Sequence, residues 1–114
     1  MNSQMTPICQ NSDFRRIYSR GKYYVTPVVV VYVLKNRQKR TRFGITTSKK
    51  IGNAVHRNRS RRIIKEALRQ ISPLIQPGYD YVFVARGKTP YVKMQDVRKQ
   101  LKIQLAKAGL LKEE

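Results

Sequence analysis

With 114 residues the chain has the length of one domain, enough for a single modest core. Its 25 Lys and Arg against 6 Asp and Glu leave a net charge of +19, which points to a polyanionic partner, nucleic acid or an acidic membrane surface. The lone cysteine, Cys9, excludes an internal disulfide and suits a reducing cytosol.

Residues 1–10 lack the basic start and apolar run of a signal peptide and read as a loose tail. Ser12, as N-cap, and Asp13, in the positive first turn, open a short helix that Gly21 ends. Phe14, Ile17 and Tyr18 fall at i, i+3 and i+4 and share a face. Rings there either pack in a core or, beside Arg15 and Arg16, stack on nucleobases at roughly 1–3 kcal/mol each. Pro27 precedes Val28 to Leu34, a Val-rich run that reads as a strand covered on both faces, interrupted by Tyr32. That run is the longest apolar one and falls far short of the roughly twenty residues of a membrane helix. Trp, common in interfacial helices, is absent, so a membrane is not the expected partner. Lys35 to Lys39 reads as a polar turn into a second strand, Arg40 to Thr47, in which Phe43 and Ile45 alternate with Arg42 and Gly44. The two strands are expected to form a hairpin bearing Arg37, Lys39, Arg40 and Arg42.

Lys49-Lys50-Ile51-Gly52-Asn53 reads as a loop, Gly52 allowing a tight turn or close approach to a ligand. Asn53 is the expected N-cap of a helix from about Ala54 to Ile71. Ile63, Ile64, Ala67, Leu68 and Ile71 give that helix one apolar stripe. Arg57, Arg61, Lys65 and Arg69 follow one another at i, i+4 on another face, where each like-charge step costs an isolated helix roughly 0.2–0.5 kcal/mol. A merely solvated face usually mixes signs. Thr46 to Gln70 instead carries eight Lys or Arg and one acid, Glu66, which can pair with Arg62 or Arg69. The neutralising charge is therefore expected from outside, as a phosphate backbone.

Ser72-Pro73 ends the basic helix and Pro77-Gly78 makes a turn. Tyr79 to Arg86 is a third strand. Arg86 to Pro90 is a basic loop without the glycine-lysine spacing of a P-loop. Met94, Val97, Leu101, Leu105 and Ala108 mark an amphipathic closing helix, Gly109 ends it, and residues 111–114 form an acidic tail. The order α-β-β-α-β-α implies a single α+β domain, a two-layer sandwich of helices on a small sheet. A catalytic centre of the chain's own is not visible. Asp13, Glu66, Asp80, Asp96, Glu113 and Glu114 are scattered, and one Cys with one His makes no zinc site. His56, the single histidine, reads as a packing or phosphate-contact residue.

Ser48-Lys49-Lys50-Ile51-Gly52-Asn53-Ala54-Val55, followed by Arg57-Asn58-Arg59 and Arg61-Arg62, resembles the signature of the bacterial ribonuclease P protein subunit. The flanking pattern fits from about Asn11 to the last helix. The resemblance implies a left-handed β-α-β crossover, where general rules favour a right-handed one. It also implies a cytoplasmic ribonucleoprotein in which the RNA subunit binds Mg2+ and cleaves precursor tRNA to free the mature 5′ end. On that resemblance Lys49, Lys50, Gly52, Arg57, Asn58, Arg59, Arg61, Arg62 and Lys65 contact the RNA subunit. Phe14, Tyr18, Tyr32 and Arg42 form a cleft for the unpaired 5′ leader, and DNA is not an expected partner. The competing readings are a ribosomal-protein-like module that only binds structured RNA, and a protein-only nuclease.

Overall fold

The computed structural model describes residues 5–38 and 40–112. Strand β1 (Met5–Pro7) leads into helix α1 (Asn11–Arg20), then β2 (Lys22–Val25), β3 (Val29–Lys35) and β4 (Thr41–Thr46). Helix α2 (Ala54–Ile71), β5 (Tyr79–Ala85) and α3 (Met94–Lys107) complete the chain, with short 3-10 turns at Lys49–Ile51, Ser72–Leu74 and Thr89–Tyr91. The α+β class expected from the sequence is the one observed.

The five strands form one sheet in the order β1-β4-β5-β3-β2. β5 lies at its centre, parallel to β4 and antiparallel to β3. This corrects the hairpin expected between Val28–Leu34 and Arg40–Thr47: those strands never pair, because β5 inserts between them. Asn36 carries the chain across the start of β5. Its side-chain amide donates to the Arg40 carbonyl at 2.7 Å and to the Asp80 carboxylate at 2.8 Å.

Both edge strands escaped the sequence reading. β2 makes the real hairpin with β3, closed where the Thr26 hydroxyl donates to the Val29 carbonyl at 2.6 Å. Tyr-Tyr-Val before Thr26-Pro27 was the available signal. β1 corrects the loose tail: it runs parallel to β4, burying Met5, with Ile8 buried just beyond its end. Pro7 ends this edge strand, where its missing N–H costs no ladder bond. Residues 1–4, Lys39 and the acidic Glu113 and Glu114 lie outside the described residues.

Strand periodicity divides the core. Val29, Val31, Tyr81 and Phe83 point to one face, where Ile64, Leu68 and Ile71 of α2 and Val97, Leu101 and Leu105 of α3 close over them. The Tyr81 hydroxyl donates to the Gln76 carbonyl at 2.8 Å, so this buried polar group is satisfied. On the other face Ile17 of α1 is buried with Val82 and Ile8, flanked by Phe14, Tyr32, Leu34 and Val84. Helices therefore cover both faces, α1 on one and α2 with α3 on the other, which makes three layers where two were expected; the covering of β3 on both sides is as expected. Asn53 caps α2 as its sequence suggests, its side-chain oxygen accepting the His56 N–H at 3.1 Å. α1 departs from expectation at its start. Its N-cap is Gln10 rather than Ser12, while Asp13 lies in the first turn as expected.

Candidate nucleic-acid interface

β1 runs beside Thr41–Phe43 only, so among the described residues no strand flanks the outer edge of Gly44–Thr46. Side chains from both faces of the sheet converge on that open edge. From α2, the Arg61 guanidinium donates to the Ile45 carbonyl at 3.2 Å. From α1, the Tyr18 hydroxyl hydrogen-bonds Thr46 at 3.3 Å. The result is a cleft of about 780 Å³ lined by Phe14, Tyr18, Gly44, Thr46, Arg61 and Lys65 among others.

Gly44 sets the depth of its floor. The Phe14 ring lies so close over the glycine that an added Cβ would sit 2.6 Å from a ring carbon. The rings continue outward as a row. Phe14 and Tyr18 have centroids 6.4 Å apart, Tyr18 meets Tyr32 edge-on at 4.8 Å, and Tyr32 leads to Tyr23 at 5.7 Å. Tyr32 thus backs Tyr18 rather than lining the cleft itself. Tyr23, 63% exposed, was not singled out from the sequence, where β2 went unread.

The cationic surface of α2 continues from this cleft. Arg59, Arg61, Arg62 and Lys65 are exposed and Arg57 half-exposed. Among the described residues none of the five pairs with a carboxylate; the only ion pair on α2 joins Arg69 to Glu66. Hydrogen bonds from Arg69, at 3.0 Å, and from Gln70 hold the Glu66 carboxyl down to about 2. Asn58 is exposed on the same surface, free to present its amide outward. The loop before the helix projects Lys49 and Lys50, both exposed. Gly52 within it has φ 133° and ψ −155°, a conformation open to glycine almost alone.

A family profile described as Ribonuclease P matches residues 4–109. The chain belongs to the ribonuclease P protein family. It is similar to the ribonuclease P protein component of Clostridioides difficile, at 46% identity over 94 residues covering 82% of each chain. Among solved structures, the Staphylococcus aureus RNase P protein matches with TM-score 0.79 at 32% identity, covering 91% of this chain and 95% of that one. The Thermotoga maritima RNase P protein matches with TM-score 0.75 at 29% identity, over 86% and 94% of the two chains.

In this ribonuclease P protein one predicted cleft residue stands apart. Arg42 does not offer a free charge: its guanidinium is bound to Asp80 at 2.7 and 2.8 Å and to Asp13 at 3.4 Å. Hydrogen bonding to Asp80 raises it further above its ordinary range. Arg16 also reaches Asp13, at 3.1 Å, and Asp80, at 3.4 Å. Burial pushes the Asp80 carboxyl up, but hydrogen bonds from Arg42 and Asn36 and the charges of Arg42 and Arg16 outweigh it and hold it low. This network ties α1 to β4 and β5, and so holds Phe14 and Tyr18 over the sheet. Sequence reasoning missed Asp80 because its partners stand 38 and 44 residues away.

The same network bears on metal binding. The described residues contain no group of three His, Cys, Asp or Glu side chains able to share an ion. Asp13 and Asp80 are already neutralised by arginines, so the described residues do not fit a Mg2+ site. No described helix is long and apolar enough to cross a membrane.

Proposed function

We propose that this chain is the protein subunit of a cytoplasmic ribonuclease P. It binds the RNA subunit through α2 and the Lys49–Gly52 loop, and the 5′ leader of precursor tRNA in the Phe14–Tyr18 cleft. The observation that carries this reading is an uncompensated row of cations opening into the same cleft as two partly exposed rings. Arginine's planar fork suits phosphate, donating two parallel hydrogen bonds. The rings suit unpaired bases, and Gly52 and the small Ala54 keep the backbone clear for a close approach. Mg2+ and the bond-breaking belong in this reading to the RNA, because the described residues present acids only in arginine-bound or capping positions. The protein contributes by fixing the leader relative to the RNA and by neutralising phosphates that would otherwise repel one another.

The test is reconstitution with the cognate RNA subunit. The protein is expected to raise cleavage of precursor tRNA at low Mg2+. Tight RNA binding without any gain in cleavage would favour a structured-RNA-binding module instead, and hydrolysis surviving complete removal of RNA would favour a protein nuclease.

Phe14→Ala removes one ring from the cleft floor without touching α2. Its expected effect is a loss of about 5- to 150-fold in the preference for precursor over mature tRNA, the range for one base stack. Equal losses for both tRNAs, measured by competition binding, would count against a leader cleft.

A further inference from the structure

Tyr91 is 71% exposed, yet it is firmly mounted. It closes the Thr89–Tyr91 turn after β5, and the turn is pinned from below. The wholly buried Thr89 donates its hydroxyl to the Val28 carbonyl at 2.6 Å and accepts the Arg86 N–H at 2.8 Å. Arg86, expected to add charge to a basic loop, instead turns its guanidinium inward to the Thr26 carbonyl at 2.8 Å. Such a turn holds its exposed ring in place before any partner arrives, which lowers the entropic cost of binding.

One side of the Tyr91 ring faces His56, with centroids 5.6 Å apart and planes tilted by 54°. His56 is itself fixed. Its Nδ1 lies 2.9 Å from the Asn53 side-chain oxygen, an acceptor, so Nδ1 carries the proton. A Cβ added at Gly52 would fall 3.2 Å from the imidazole, so the glycine loop packs directly on it. Gly52, His56 and Tyr91 thus pack in a row that joins the glycine loop, the start of α2 and the turn after β5. Residues 46–65 and 81–95, which supply this row, contain no carboxylate. Lys49, Lys50 and Arg57 flank Gly52 and His56 along the chain, and Lys88 and Lys93 flank Tyr91. An exposed ring whose neighbours along the chain are cations without an ion-pair partner among the described residues matches a partner that offers flat apolar faces and phosphates together.

We propose that Tyr91, backed by His56, is a stacking platform for one unpaired base of the RNA subunit. The inference rests on the RNA-binding reading of α2 and adds to it a contact of another kind. Stacking accepts any base, so the platform positions a nucleotide without reading sequence, and it neutralises no phosphate.

The experiment uses the full chain, the cognate RNA subunit, and the variants Tyr91→Ala, Tyr91→Leu and Tyr91→Phe, with Kd measured across a salt series. Ala and Leu are expected to raise Kd by about 5- to 150-fold, Phe to leave it unchanged, and none to alter the slope against salt. Chemical probing of the bound RNA should show one unpaired base protected by the wild type and by Tyr91→Phe but not by Tyr91→Ala. Circular dichroism melts check that the exposed ring can be removed without unfolding. An unchanged Kd for Tyr91→Ala, while the wild type binds with steep salt dependence, would overturn the platform and leave the reading of α2 standing. Failure of the wild type to bind RNA would remove both. A loss seen only with precursor tRNA would also overturn the proposal, by assigning the ring to the substrate.

Discussion

Changing Arg57 and Arg61 together to Glu should raise the Kd for the RNA subunit by about 10²- to 10⁴-fold at fixed salt. Two charge-assisted hydrogen bonds to phosphate are lost, each contributing roughly 1.5–3 kcal/mol. The slope of log K against log salt should become shallower by about 2, one for each phosphate no longer neutralised. The fold should survive. Arg61 is exposed, its one side-chain hydrogen bond among the described residues being to the Ile45 carbonyl at the open edge of β4. Glu at 57 would sit in the positive first turn of α2, and Glu at 61 would face Lys65 at i+4, a favourable pairing. Filter binding over a salt series measures both quantities, with a circular dichroism melt as control. An unaltered slope would mean that these guanidinium groups do not meet phosphate.

Asp80→Ala is expected to cost about 3–5 kcal/mol, the range for breaking a buried ion pair from one side. Asp80 is wholly buried, and Arg42, with a side chain only 12% exposed, would keep just the longer contact to Asp13. Against a total stability of roughly 5–15 kcal/mol this is a large fraction, corresponding to a fall in Tm of at least about 10 °C. The pH dependence follows from the sign of the shift. The folded-state carboxyl titrates below its unfolded value of about 3.9, so its stabilisation is complete above that pH and is lost as pH falls through the folded value. Urea titrations from neutral to acid pH should therefore show wild type and Asp80→Ala converging. A gap that stays constant down the acid range would show that the charge of Asp80 is not what holds Arg42.

These two variants mark the divide between what is local in this protein and what is not. The cap and apolar stripe of α2, the capacity of Gly52 for an unusual backbone angle, and the cations at i, i+4 are properties of residues a few positions apart. Helical geometry converts such spacing directly into position, so the cationic surface was legible before any coordinates. The Val-rich β3 and the closing helix α3 were legible for the same reason.

Strand order is a different kind of fact, because it depends on partners distant along the chain. Lys35 to Lys39 looks like a hairpin turn, yet β5, more than thirty residues later, takes the place between the strands it joins. Three residues of β1 and four of β2 are strands only because β4 and β3 offer them an edge. Arg42 looks like one more cation of the basic segment until folding places Asp80 and Asp13 against it. Phe14 and Arg61 meet in one cleft only because β1 stops at Pro7 and leaves the edge of Gly44–Thr46 open between α1 and α2. Local spacing carried the charge and the helices; contacts across the sheet, whose partners no short window of sequence contains, decided where that charge and those rings come together.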